Sequence, residues 1–225
     1  MKPADIASLL APFLGGETLT GHQLGQVSTY LELLLKWNAR INLTSVRQPE
    51  EIITRHFGES FFTARHLHLV IPSERDRAKA KERESRDLGF ASLIDLGSGA
   101  GFPGLPIKIY APSLSVTLIE SNHKKAAFLR EVNRALTLTN IDVFAGRAQS
   151  FPGTAGIVTL RAVEKPQQAL AAAARLLRPG GRLVLFLGAT QAGQLPGLLP
   201  GFSWDPPLAL PGSSQRALLI GASSV

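Results

Sequence analysis

Residues 93–104 read LIDLGSGAGFPG: a short apolar run reaches Asp95, and Gly97, Gly99, Gly101 and Gly104 follow within eight residues. So many glycines weaken a chain unless the backbone must turn left-handed or come close to something. The stretch therefore reads as a ligand loop. Gly99 to Gly104 fit the G-x-G-x-x-G pattern of dinucleotide sites. A phosphate-cradling P-loop requires Lys-Ser or Lys-Thr after the last glycine, and Leu105-Pro106 stand there instead. The next apolar run, SVTLIE (115–120), ends in Glu120. In an open α/β sheet, ligands bind beyond the carboxyl ends of the strands. An acid at that place can accept hydrogen bonds from both hydroxyls of a ribose. Loop and acid together predict an adenosine ligand, either NAD or S-adenosylmethionine.

Three details favour the methyl donor. Asp95 stands two residues before Gly97, where dinucleotide folds usually carry an apolar side chain. The register is D-x-G-x-G-x-G, so Gly97 rather than Gly99 opens the turn. Pro103 and Pro106 crowd the following helix start, where a pyrophosphate needs free backbone N–H groups. A sulfonium ligand needs no such anion site.

The sequence also excludes chemistry. It has no cysteine, which removes disulfides, cysteine-ligated zinc, iron–sulfur clusters and cysteine nucleophiles. Five histidines and no HExxH leave no expected metal site. No apolar run approaches the ~20 residues of a membrane span, so a cytoplasmic protein with no membrane partner is expected. A net charge of +7 points to a polyanion partner, nucleic acid first. Residues 1–70 balance six Lys/Arg against six Asp/Glu, so the excess lies after residue 70.

These residues need elements to hold them. Residues 1–72 read as a helical region. Ile6, Leu9, Leu10 and Phe13 recur at helical spacing, Thr20 with Gln23 forms a capping box, and Pro49-Glu50-Glu51 opens a helix predicted to run to about Leu69. Residues 73–89 are charged with mixed signs and read as a linker or solvated helix. From residue 90 to 225, strand-like runs alternate with helical ones: 92–96, 115–120, 141–146, 156–163 and 182–188, with 216–222 as a possible edge strand. That alternation predicts a doubly wound α/β sheet, Rossmann-like and mostly parallel, with an antiparallel edge strand.

The runs KWNARINLTSVR (36–47), RHFGES (55–60), IDLGSGAGFPGLPI (94–107), LIESNHKKAAFLREV (118–132) and LRAV (160–163) occur in this order. Together they resemble the bacterial 16S ribosomal RNA guanine-N7 methyltransferase family, also called glucose-inhibited division protein B, over about residues 20–190. The resemblance implies S-adenosylmethionine as donor and a guanine in the 530 loop of 16S ribosomal RNA, free or in the small-subunit particle, as target. It implies a donor site of Gly97, Phe102, Ala148, Gln149 and Arg161, to which the loop reading adds Gly99, Gly101 and Glu120, with Arg161 also the expected catalytic residue. Asn42, Arg47, Arg55 and His56, with Asn38 and Thr44, match the helical motifs and are expected near the active-site mouth, either holding the helical part against the sheet or, for the first four, contacting RNA; a structural role is expected for His56 and Asn42 at least as much as an RNA contact. Guanine N7 carries a lone pair and no proton, so its methylation needs no general base, and positioning and electrostatics suffice. The chain departs from the family pattern at Glu59 for aspartate, at Gln149 for an acid, at Leu160 for serine and at Leu187 for lysine. An NAD-dependent oxidoreductase and a non-catalytic RNA-binding protein are the competing readings. No motif sets the oligomeric state, and a monomer is the working expectation.

Overall fold

Proline and glycine punctuate the first third of the chain as its sequence predicts. In this computed structural model, which describes residues 1–68, 92–161, 166–188, 190–191 and 195–223, α1 spans Pro3–Leu14 and stops at Gly15 with φ +57°. Helix α2 spans Gly21–Asn38, and its Thr20 side chain and the Gln23 side chain cap each other reciprocally. Helix α3 (Pro49–Ile52) starts at Pro49, and α4 (Glu59–His66) continues it. Between them Ile53–Gly58 widens into a π-helical turn that helical periodicity does not reveal; such turns often mark functional segments. Here the carbonyl of Arg55 accepts from Arg161 at 3.1 Å and that of His56 from Ser60 at 2.6 Å. The expected charged linker at 73–89 lies outside the described residues.

The sheet contains β1 (Ser92–Leu96), β2 (Ser115–Glu120), β3 (Ile141–Ala145), β4 (Ala155–Arg161), β5 (Leu177–Gly188), β6 (Phe202–Trp204), β7 (Leu208–Ala209) and β8 (Arg216–Ser223). Its order is β3-β2-β1-β4-β5-β8-β6, with β7 also paired to β8. The first five of these strands run parallel. Strand β8 is antiparallel to β5, and β6 and β7 pair on its outer side, so the antiparallel edge is a small group of strands rather than one. The winding reverses between β1 and β4, and a crevice opens at such a switch point.

Strand residues alternate between two cores. Leu93, Val116, Leu118, Ile157 and Val184 face a cluster that also contains Leu10, Tyr30, Leu34, Phe57 and Phe61 from the helical region. Short α5 (Gly104–Tyr110) and α6 (His123–Ala135) pack on this same side, α6 starting at an Asn122 cap. Ile94, Val158, Leu183 and Leu185 face the other cluster, beneath α7 (Pro166–Arg175). The helical region and the sheet thus share one continuous core, which fixes the helices against the glycine loop.

Candidate active site at the carboxyl ends of the parallel strands

Buried Asp95 ties the loop to its strand. One carboxylate oxygen accepts from the Thr159 hydroxyl at 2.8 Å and the other from the Gly104 N–H at 3.2 Å. Burial pushes this carboxyl up to about 6, and those two hydrogen bonds pull the other way. The loop then crosses to β2, where the N–H groups of Gly97 and Ser98 both donate to the carbonyl of Ile119. Asp95 is therefore a staple of the turn rather than a reacting group.

Glu120 closes β2 and is buried. Its two carboxylate oxygens accept from the Gly99 N–H at 2.8 Å and the Asn122 N–H at 2.7 Å. Each oxygen keeps further lone-pair capacity. Gly97 has φ +72°, and a Cβ there would enter open space. A left-handed turn with no wall above it, beside a held carboxylate, fits the residues expected around an adenosine-bearing donor. Beyond β3, the turn Ala148–Ser150 carries buried Ala148 and exposed Gln149, and Ala145 is the register partner of Glu120. The carbonyl of Ala148 accepts from Arg175, which ties this turn to α7. Gly97, Gly99, Glu120, Ala148 and Gln149 therefore gather at the ends of three adjacent strands.

Gly101 and Phe102 face the helices instead. At φ +90°, Gly101 has no room for a Cβ, which would strike the Tyr30 hydroxyl and Leu105. That hydroxyl donates to the carbonyl of Ala100. The Phe102 ring stacks on Tyr30 (centroids 5.2 Å, 4° between planes) and on His56 (4.7 Å, 23°), and meets Phe57 edge-on at 5.1 Å. The Phe102 ring thus belongs to the clasp between helices and loop. Tyr30 and Phe57 are not among the expected site residues; Tyr30 also meets Phe128, and Phe57 also meets Phe61.

His56 is buried, so it does not reach RNA in this conformation. Its Nε2 lies 2.8 Å from the Thr44 hydroxyl. Asn38 in turn accepts from the N–H groups of Leu43 and Thr44 and donates to the Thr44 carbonyl, which closes the loop after α2. Burial, then the nearby Arg161, Arg55 and Arg216, push the imidazole down to about 3. The unfolded chain takes up a proton near 6.5 that the folded chain refuses, so this stability is present above that pH and is lost as pH falls toward 3. Urea unfolding is expected to show a loss approaching ~2 kcal/mol between pH 7 and pH 5 from this residue, at ~1.4 kcal/mol per unit. In His56→Gln that part of the slope disappears; an unchanged slope rules out a neutral buried imidazole.

Asn42 and Arg47 are exposed, and Arg47 donates to Asn42 at 3.3 Å. Arg55 is partly exposed and pairs with Glu51 at 3.2 Å. Arg161 ends β4 beside the loop, since Leu160 pairs with Leu96. It donates to Glu59 at 2.8 Å, and its guanidinium lies 5.2 Å from the centroid of the Phe186 ring. Its Nη1 is buried without a hydrogen-bond partner. Glu59 is 2% exposed and also pairs with Arg216 of β8. Burial pushes the Glu59 carboxyl up, against the pull of Arg161, Arg216 and Arg55. Leu160 and Leu187 are both buried apolar contacts beneath α7. A further cation at this corner is Arg216, which pairs in register with Gly188. Its run reads only as a strand, and no local signal brings it to Glu59.

Residues 23–198 match the family model described as rRNA small subunit methyltransferase G. The ribosomal RNA small subunit methyltransferase G of Xanthomonas campestris is 34% identical over 223 residues, covering 97% of this chain and 95% of that protein. The protein of the same name from Chloroflexus aggregans is 36% identical over 218 residues, covering 91% and 84%. A SAM-dependent methyltransferase structure from Aquifex aeolicus aligns with a TM-score of 0.51 at 15% identity, over 72% of this chain and 97% of that one, a likeness of fold.

Proposed function

The chain belongs to the rRNA small subunit methyltransferase G family, an S-adenosylmethionine-dependent group, and on that premise we propose how its own residues divide the work. The carrying observation is the pairing of the open left-handed turn at Gly97 with the Glu120 carboxylate that grips Gly99 at 2.8 Å. Bound S-adenosylmethionine supplies a methyl group on a positively charged sulfur, which a ring nitrogen can displace without a base. Gly97, Gly99 and Gly101 form the backbone of the cradle, and Glu120 takes the ribose hydroxyls. Ala148 and Gln149 edge the base. Phe102 keeps the loop seated by its stack rather than by touching the donor.

The target is N7 of a guanine in the 530 loop of 16S ribosomal RNA, within the RNA or the small-subunit particle, in the cytoplasm. N7 carries no proton, so the residues need only place it in line. Arg161 suits that task, with one guanidinium nitrogen anchored on Glu59 and another buried without a partner at the end of β4. A donor there can hold the guanine O6 next to N7. Asn42 and Arg47, exposed on the loop that Asn38 closes, extend the RNA surface.

Isotope-labelled methyl transfer to undermethylated small-subunit particles, with deproteinised 16S RNA alongside, tests this reading. The label is expected at a 530-loop guanine, mapped by N7-selective strand cleavage. Label at another atom or another loop overturns the target, and no label on either substrate despite measured donor binding overturns the activity.

A further inference from the structure

One buried carboxylate serves more cations than it can neutralise. Glu59 pairs with Arg161 at 2.8 Å and also with Arg216. A third guanidinium, Arg55, is near enough to act on both Glu59 and His56. Among the described residues, the acid paired with Arg55 is Glu51, itself half exposed and 3.2 Å away. Solvent screens a pair of that kind, so it holds Arg55 loosely. His56 beside them adds no negative charge. The side chains of Arg216 and Arg55 are 29% and 40% exposed, against 2% for Glu59, so the cations stand outward and the anion inward.

Arg216 also has a fixed geometry. Its Nε donates to the Ser213 hydroxyl at 3.1 Å, and one terminal nitrogen is taken by Glu59. A guanidinium held on two sides presents its remaining N–H groups without further ordering cost, and its planar fork matches a phosphate. The Arg55 Nε is buried without a partner. All of this lies at the carboxyl ends of β4 and β5, next to Arg161.

We propose that Arg216 and Arg55, set around the Arg161–Glu59 pair, form a seat for a backbone phosphate of the RNA substrate. Glu59 is then the positioning residue that aims Arg216 and anchors one nitrogen of Arg161, which faces the base through the other. The assignment rests on the RNA-methyltransferase reading above, and it adds a substrate contact from the C-terminal part of the chain.

The test is binding of 16S RNA to wild type, Arg216→Gln and Arg55→Gln across a salt series, with donor affinity and melting temperature measured in parallel. A phosphate contact predicts ~5- to 20-fold weaker RNA binding at low salt and a log–log salt slope shallower by ~0.7 to 1 for each variant. Donor affinity stays within ~2-fold, because neither side chain belongs to the glycine loop or to Glu120. Arg216→Lys keeps the charge and is expected to recover most of the slope but only part of the affinity. If the Gln variants bind RNA as wild type does, with the same slope, the seat is overturned, and Arg216 is a counter-ion of Glu59 only. If Arg216→Gln melts far below wild type, Arg55→Gln, which breaks only a surface pair, decides the question. Because binding is read without turnover, a wild type that binds RNA with the expected slope but transfers no methyl group fails the activity and leaves the seat standing.

Discussion

Glu120→Ala is expected to weaken S-adenosylmethionine binding by ~100-fold or more, the largest donor-side effect of any single change in this site. The carboxylate has two duties. It accepts from the N–H groups of Gly99 and Asn122 at 2.8 and 2.7 Å, and in the proposed reading it also takes the ribose hydroxyls. Hydrogen bonds to an ionised acceptor contribute ~1.5–3 kcal/mol each, so losing two to the ribose accounts for the factor. Losing the two backbone bonds also frees the loop, and Glu120→Gln, which keeps one acceptor oxygen, is expected to fall between wild type and alanine. Equilibrium dialysis with labelled donor measures all three. An affinity within ~3-fold of wild type for the alanine variant makes Glu120 a loop staple and removes it from the donor site.

Arg161→Met is expected to lower single-turnover methyl transfer by ~10²–10³-fold, the range for loss of one preorganised donor in an active site. The stability loss should be smaller than for a simple broken buried pair, which costs ~3–5 kcal/mol, because Glu59 keeps Arg216. Methionine preserves the packing on Phe186, so the rate reports the guanidinium. Arg161→Lys is not expected to rescue it: an ammonium cannot bridge Glu59 and the Arg55 carbonyl in one plane and also stack on a ring. Saturating donor and RNA separate the rate from binding, and urea melts follow stability. A rate within ~3-fold of wild type assigns Arg161 to the architecture alone.

The sequence carried the sheet and the glycine-loop corner further than the arginine corner, for a physical reason. The capping box at Thr20, the proline start at Pro49, the Asn122 cap and the strand at Ser92–Leu96 are set by neighbours a few residues apart, and each stands where its signal put it. Gly97 and Glu120 were legible because strand-end positions in a parallel sheet converge whatever the intervening helix. The π turn was hidden, since it changes helical register without changing composition. Phe102 and His56 matched motif positions whose side chains face inward, a matter of tertiary stacking that spacing along the chain does not encode. Arg216 was invisible for the same reason: its partner Glu59 comes from the opposite end of the chain.

That distance has a consequence for the order in which the protein becomes competent. Strand β8 occupies an inner place in the sheet, between β5 and β6, yet it is made after every other strand. A nascent chain has made the strands that carry the glycine loop, Glu120 and the Thr159 that holds Asp95 before β8 is made, and domains do begin to fold from the N-terminal side during synthesis. It cannot complete the arginine corner until β8 is inserted. The arginine corner is therefore the last part of the candidate site to be completed as the chain is made, whereas the loop that carries Asn42 and Arg47 is made before any strand.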